Sequence, residues 1–129
     1  MKENLFGQLW NSNMPDTLKP EVHSFFDENT NAACYIVKDP SSSACAVIDS
    51  ILDFDLASGR TSTAHADMLI DVITSNQWTL EWVIETHVHA DHLSAAPYLA
   101  KKLGGKIAIG ANIESVQKVF GKLFNAGTE

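Results

Sequence analysis

The chain has 129 residues, enough for one domain with a real core, since folding at this size removes roughly 65–70 % of the unfolded chain's surface from water. It is 45% hydrophobic and carries 9 Lys+Arg against 16 Asp+Glu; the formal net charge of −7, with no basic cluster to offset it, excludes nucleic acid as a partner. No apolar run approaches the ~18–20 residues of a membrane span, and MKENLFGQLWNSNMPD lacks the continuous apolar stretch of a signal peptide and the arginines of a transit peptide, so the expected location is cytoplasmic, away from membranes.

Residues 1–20 read as a lead-in broken by Pro15 and Pro20, with Leu5, Phe6, Leu9 and Trp10 able to form one apolar turn. Three β-type runs follow: VHSFF (22–26), ACYIVKD (33–39) and ACAVID (44–49). The last two flank the turn-forming DPSSS and predict a hairpin. Their apolar residues run on without clean alternation, as in strands covered on both faces. Cys34 and Cys45 lie in these runs without metal-type C-x-x-C spacing, and are expected to be buried free thiols rather than a cross-strand disulfide.

Residues 50–62, SILDFDLASGRTS, read as a polar loop. Thr63 is placed to cap a helix over about 64–75, with Met68, Leu69, Val72 and Ile73 on one face. LEWVIET (80–86) is the next strand. Ser94 is placed to cap a helix over about 95–103 with Pro97 in its first turn and Gly104 and Gly105 ending it. KIAIG (106–110) is a strand, and Asn112 caps a last helix striped by Ile113, Val116, Phe120 and Leu123. The order β-β-β-α-β-α-β-α, antiparallel strands giving way to strand–helix alternation, predicts an α/β or α+β layered fold.

ETHVHADHLS, residues 85–94, holds three of the five histidines. His87 and His89 lie just past a strand, where residues two apart project to the same side, so two imidazoles can converge on one point. Asp91 and His92 follow as the chain turns and can face the same cavity. Imidazole and carboxylate without thiolate suit a catalytic zinc or iron rather than a structural zinc knuckle. Open α/β sheets carry ligand sites at the carboxyl ends of their strands, and the helix start near Ser94 offers its positive end to an anionic group. A single loop histidine is ordinarily polar surface; four potential ligands in six residues directly after an apolar strand are hard to obtain that way. Blander roles fall to His23 (strand surface), His65 (a helix start, with a smaller case for a site role), Asp53 and Asp55 (loop acids) and Trp78 and Trp82 (packing).

THVHADHLSAAPYL resembles the H-x-H-x-D-H signature of the metallo-β-lactamase superfamily. Within it the chain resembles the persulfide dioxygenase and glyoxalase II branch, above all the bacterial β-lactamase-hydrolase-like dioxygenases. FFDENTNAACYIVKDP, IDSILDFDLASGRTST, ETHVHADHLSAAPYLAKKLGGKIAIG and VQKVFGKLFN carry the likeness, which spans about residues 21–129. The resemblance implies an αββα sandwich with a metal site at one edge of the strands. The N-terminal half of it would be held here, as a domain over 21–129 incomplete at its C-terminus.

In the two-zinc members, residues matching His87 and His89 hold the first metal and those matching Asp91 and His92 the second. In the iron dioxygenases one Fe(II) is held by the residue matching His87 and two ligands further downstream; His89, Asp91 and His92 then line the site or orient its waters. Asp91 is the candidate catalytic residue, holding and orienting a nucleophile. Asp49 matches an acid that supports the metal loop from behind; the family often has Pro next, where this chain has Ser50. The implied function is a glutathione persulfide dioxygenase using Fe(II) and a small thiol or persulfide substrate. The alternatives are a glyoxalase II-type thioester hydrolase with one or two zinc ions, and a non-catalytic fragment. The remaining family ligands match positions beyond Glu129, so the 129-residue chain alone is expected to be inactive, and oligomeric, molten or insoluble.

Overall fold

The more polar β1 (Glu21–Asp27) comes first, and near-continuous apolar runs whose burial alternates build β2 (Ala32–Lys38) and β3 (Ala44–Ile48), in a computed structural model that describes residues 18–126. The apolar turn expected at Leu5, Phe6, Leu9 and Trp10, with Pro15, lies outside the described residues. Asp39 makes the predicted β2–β3 hairpin turn: its carboxylate accepts the Ser41 N–H at 2.9 Å and the Ser42 hydroxyl at 2.7 Å. Asp27 closes the β1–β2 turn in the same way on Thr30.

Residues 50–62 are not a loop. They form β4 (Ile51–Asp55) and β5 (Arg60–Ser62), an antiparallel hairpin. Ile51 is fully buried, and Asp55 binds the turn through the Ala57 N–H and the Ser58 hydroxyl, with Gly59 at φ +68°. The polar composition concealed a strand whose outer residues serve the turn. β4 also pairs with β7 (Leu93–Ser94), giving a second sheet of order β5-β4-β7.

Helix α1 (Ala64–Ser75) starts where expected, but the Thr63 side chain does not cap it. Thr63 Oγ1 donates to Asp67 instead, and Asp53 of β4 accepts the His65 N–H at 3.0 Å. The buried face of α1 is Ala66, Leu69 and Ile73; Met68 turns outward. β6 (Thr79–Glu85) follows and pairs parallel with β3 and with β8 (Lys106–Ile109), completing the order β1-β2-β3-β6-β8. Helix α2 (Ala96–Leu103) has Ala95 rather than Ser94 at its cap position, although Ser94 Oγ accepts the Ala96 N–H. Gly105, at φ +89°, passes the β6 backbone so closely that a Cβ would meet the Leu80 carbonyl oxygen at 3.1 Å. Helix α3 (Ile113–Leu123) follows Asn112, whose side chain makes no cap bond, and it buries no residue. No described helix is long and apolar enough to cross a membrane.

The core lies on one face of the five-stranded sheet. Cys34, Ile36, Cys45, Val47, Leu80 and Val83 pack there against α1 and α2, and both cysteines are free. Burial pushes the Cys34 thiol up to about 12 and the Cys45 thiol to about 11, so both stay protonated and inert. Among the described residues, the cover expected on both faces is present on one. Strand register places Val22, Phe26, Tyr35 and Trp82 on the opposite face, where they are 56%, 62%, 37% and 40% exposed. A contiguous apolar face of this breadth favours association. Sedimentation velocity on the 129-residue chain is expected to show dimers or larger species at micromolar concentration, and a monodisperse monomer would refute this.

Candidate metal centre

The site forms where two parallel strands end side by side. β3 stops at Ile48, β6 stops at Glu85, and the next residues of each, Asp49 and Thr86, meet. Asp49 adopts φ +53°, a left-handed conformation that Asp tolerates better than most residues, and its N–H bonds the Ile84 carbonyl at 2.9 Å. Its carboxylate is thereby aimed across the strand ends. Oδ1 accepts the Thr86 N–H at 2.7 Å and His89 Nε2–H at 2.9 Å; Oδ2 accepts the Thr86 hydroxyl at 2.7 Å. Burial works to raise the Asp49 pKa, but the Thr86 and His89 hydrogen bonds outweigh it and hold the carboxyl below its usual range.

These bonds select the histidine tautomers. Ionised Asp49 can only accept, so the single Thr86 hydroxyl proton goes to it. Thr86 Oγ1, 2.8 Å from His87 Nδ1, must then accept from His87 Nδ1–H, which leaves His87 Nε2 with a free lone pair. His89 donates from Nε2 and leaves Nδ1 free. Two residues apart, the two histidines present different nitrogens.

The four residues singled out from the sequence are brought together. The His87 and His89 ring centroids lie 4.1 Å apart, as do those of His89 and His92. Ligand atoms of His89, Asp91 and His92 lie within 4.8 Å of one another, and so do those of Asp49, His87 and His89. The first group is the better cation cradle, because the Asp49 oxygens are already engaged. His92 passes the test of fit. Its side chain is 2% exposed, yet neither ring nitrogen makes a well-formed hydrogen bond: Nδ1 has only Asp91 Oδ2 at 3.4 Å, a long and poorly aligned contact, and Nε2 has no acceptor or donor, a cost that a bound cation removes. Asp91 is half exposed at 52%, and a hydrogen bond from its own backbone N–H holds its carboxyl below the usual range.

The family model described as the metallo-beta-lactamase superfamily matches residues 29–127. The chain belongs to that superfamily. It is 56% identical over 106 residues to a probable metallo-hydrolase of Burkholderia pseudomallei (strain 1710b), covering 82% of this chain and 36% of that protein. It is 44% identical over 106 residues to a beta-lactamase hydrolase-like protein of Agrobacterium fabrum (strain C58 / ATCC 33970), covering 82% of this chain and 25% of that one. Among solved structures, that of ETHE1 from Myxococcus xanthus is similar with TM-score 0.60 at 23% identity, over 71% of this chain and 36% of that chain, a likeness of fold. The chain thus spans from a quarter to about a third of the length of these proteins.

One expectation for this metallo-β-lactamase superfamily chain is corrected, and the residues given blander roles are placed away from the ligand groups. The α2 start does not offer its first donors to a substrate: the Ala95 N–H bonds the Ser50 carbonyl, the Ala96 N–H bonds Ser94, and Pro97 has none. His65 belongs to neither ligand group; both its ring nitrogens are buried without hydrogen-bond partners at the start of α1. Asp53 and Asp55 are engaged in the α1 start and the hairpin turn.

Two residues escaped the sequence reading. Thr86 was visible only as the strand's last residue. Glu85 was concealed in the motif run, although its place two after Val83 puts it on the buried face of β6. Thr86→Val keeps the shape of the side chain and removes the link between Asp49 and His87. It is expected to weaken zinc binding about 10–100-fold in chelator competition while leaving the circular dichroism spectrum unchanged. Unchanged affinity would exclude the hydroxyl from setting the His87 tautomer.

Proposed function

We propose that this chain forms part of an iron-dependent dioxygenase acting on glutathione persulfide, within a polypeptide as long as its relatives. The observation that carries the reading is the surroundings of His87. This exposed histidine, with its free Nε2, lines a cleft of about 570 Å³ together with Thr86, Val88, Ile109, Ile113, Val116 and Phe120. The motif and flanking segments that resemble the β-lactamase-hydrolase-like dioxygenases support the same reading.

In the proposed reaction one persulfide, one O2 and one water yield sulfite and glutathione. The sulfur–sulfur bond breaks, the outer sulfur is oxidised to sulfite, and the inner sulfur leaves as the thiol. Bound iron supplies the redox chemistry that lets O2 react with the outer sulfur. His87 would hold it through Nε2, with further ligands from the longer polypeptide. Asp91, half exposed beside His89 and His92, would orient water within the site and accept its proton. The apolar wall of Val88, Ile113 and Phe120 would exclude bulk water from the reacting sulfur.

A zinc thioester hydrolase of the glyoxalase II type is favoured by one specific observation, the buried unpartnered ring of His92 beside His89 and Asp91. There, His89, Asp91 and His92 would hold zinc, which would supply a water of lowered pKa, and Asp91 would orient that water toward the acyl carbon.

Metal analysis of the anaerobically purified full-length protein tests the choice, and stoichiometric iron is expected, with oxygen uptake on adding glutathione persulfide. Stoichiometric zinc without oxygen uptake would overturn the dioxygenase reading. His87→Ala is expected to abolish metal retention; His89→Ala is expected to do so only if zinc is native. The 129-residue chain by itself is expected to show neither turnover.

A further inference from the structure

Glu85 is the last residue of β6 and is buried, with its side chain 10% exposed. Its two oxygens are treated unequally. Oε1 accepts the Ser94 hydroxyl, and Ser94 in turn receives the Ala96 N–H. Oε2 has no hydrogen-bond partner, yet it lies 3.3 Å from His89 Nε2, the nitrogen whose proton is given to Asp49 at 2.9 Å. Two carboxylates therefore flank one edge of the His89 ring. On the other edge Nδ1 lies 3.7 Å from Asp91, and the His92 ring centroid is 4.1 Å from that of His89.

An unpartnered buried carboxylate oxygen is costly in a fold held together only by packing. If the role of Glu85 were to tie β6 to β7 through Ser94, a neutral acceptor would do as well, and Oε2 would not need to carry charge. The cost has a return only if the neighbouring imidazole becomes more positive, and it does so when His89 Nδ1 binds a cation. Carboxylates on the far nitrogen of a ligating histidine fix its ring and increase its donor strength.

We propose that Glu85 is a positioning residue of the metal centre: with Asp49 it clamps the Nε2 edge of His89, so that Nδ1 faces the cation, and its negative charge strengthens the hold of that nitrogen. The proposal rests on the reading in which His89 is itself a metal ligand, that of the zinc hydrolase. It assigns Glu85 to affinity for the metal rather than to stability of the fold.

The two roles predict opposite results for Glu85→Gln. The amide keeps an acceptor for Ser94 and removes the unpartnered charge. The full-length, metal-free E85Q protein should therefore melt at or above the wild-type temperature. Its affinity for zinc, by competition with a chromophoric chelator, should fall about 10–100-fold. The cobalt-substituted protein should show a shifted visible absorption band. Glu85→Asp, which keeps the charge but withdraws it by one methylene, should bind zinc more tightly than E85Q. A zinc affinity within twofold of wild type in E85Q, or a parallel loss of melting temperature and affinity in both variants, overturns the proposal. His89→Ala serves as the separate check on that reading. If it binds zinc like wild type, His89 is not a ligand and the reading fails; if it loses zinc while E85Q does not, only the role of Glu85 fails.

Discussion

The Asp49 carboxylate is the interaction on which the arrangement depends. It follows β3 in a left-handed conformation and accepts three donors, two from Thr86 and one from His89. Those donors come from residues 37 and 40 positions away in the chain, so the contact exists only because β3 and β6 pair in parallel with Ile48 opposite Ile84. A slip of one residue in that pairing would turn Thr86 away from Asp49. The local strain of φ +53° is sustained because the surrounding hydrogen bonds over-determine it. The chemistry of the histidines is therefore tied to strand register, and strand register to the core of Cys34, Ile36, Val47, Leu80 and Val83 beneath α1 and α2.

Around this anchor the charges have one sense. Asp49 and Glu85 flank His89, Asp91 lies beside His92, and no Lys or Arg forms an ion pair with any of them among the described residues. Such a cluster is poorly compensated by itself, and a cation relieves it. The donors are nitrogen and carboxylate, which suit zinc and iron alike. The choice between these metals is thus left to groups around the cluster, and the shape of the cleft beside His87 bears on the substrate more than on the ion. A larger cavity, about 660 Å³, lies between the β1–β2 turn and the β4–β5 hairpin. Its acids Asp27, Asp53 and Asp55 are all bonded within their own turns and helix start, so it has no comparable cluster of free ligand atoms.

The sheet explains how one side of the molecule supports the site while the other remains open. The helices α1 and α2 cover one face and fix the strand ends. The face bearing Val22, Phe26, Tyr35 and Trp82 is left open by the described residues, and α3 leaves Phe120 and Leu123 at 48% and 69% exposure. In an αββα sandwich a sheet face of this kind is interior, and this chain spans only part of the length of its superfamily relatives. The apolar stripe read on α3 is real, and part of it lines the cleft beside His87 instead of a core.

Much of this was legible in the sequence by itself. Short-range patterns determine the strands, the positions of α1, α2 and α3, and the grouping of His87, His89, Asp91 and His92, because helix and strand periods and the spacing within a loop are local properties of a chain. The β4–β5 hairpin was missed because its strands are short and its polar residues serve turns: ILDFD alternates, but Asp53 and Asp55 disguise it. Asp49 was found through resemblance, while its partners were not. That Thr86 would relay it to His87, that Glu85 would face His89, and that Met68 would point outward while Leu69 is buried were decided by tertiary structure. These depend on which strand ends meet and which face of a strand a helix covers, and contacts between residues nearly 40 positions apart leave no periodic mark on the sequence that forms them.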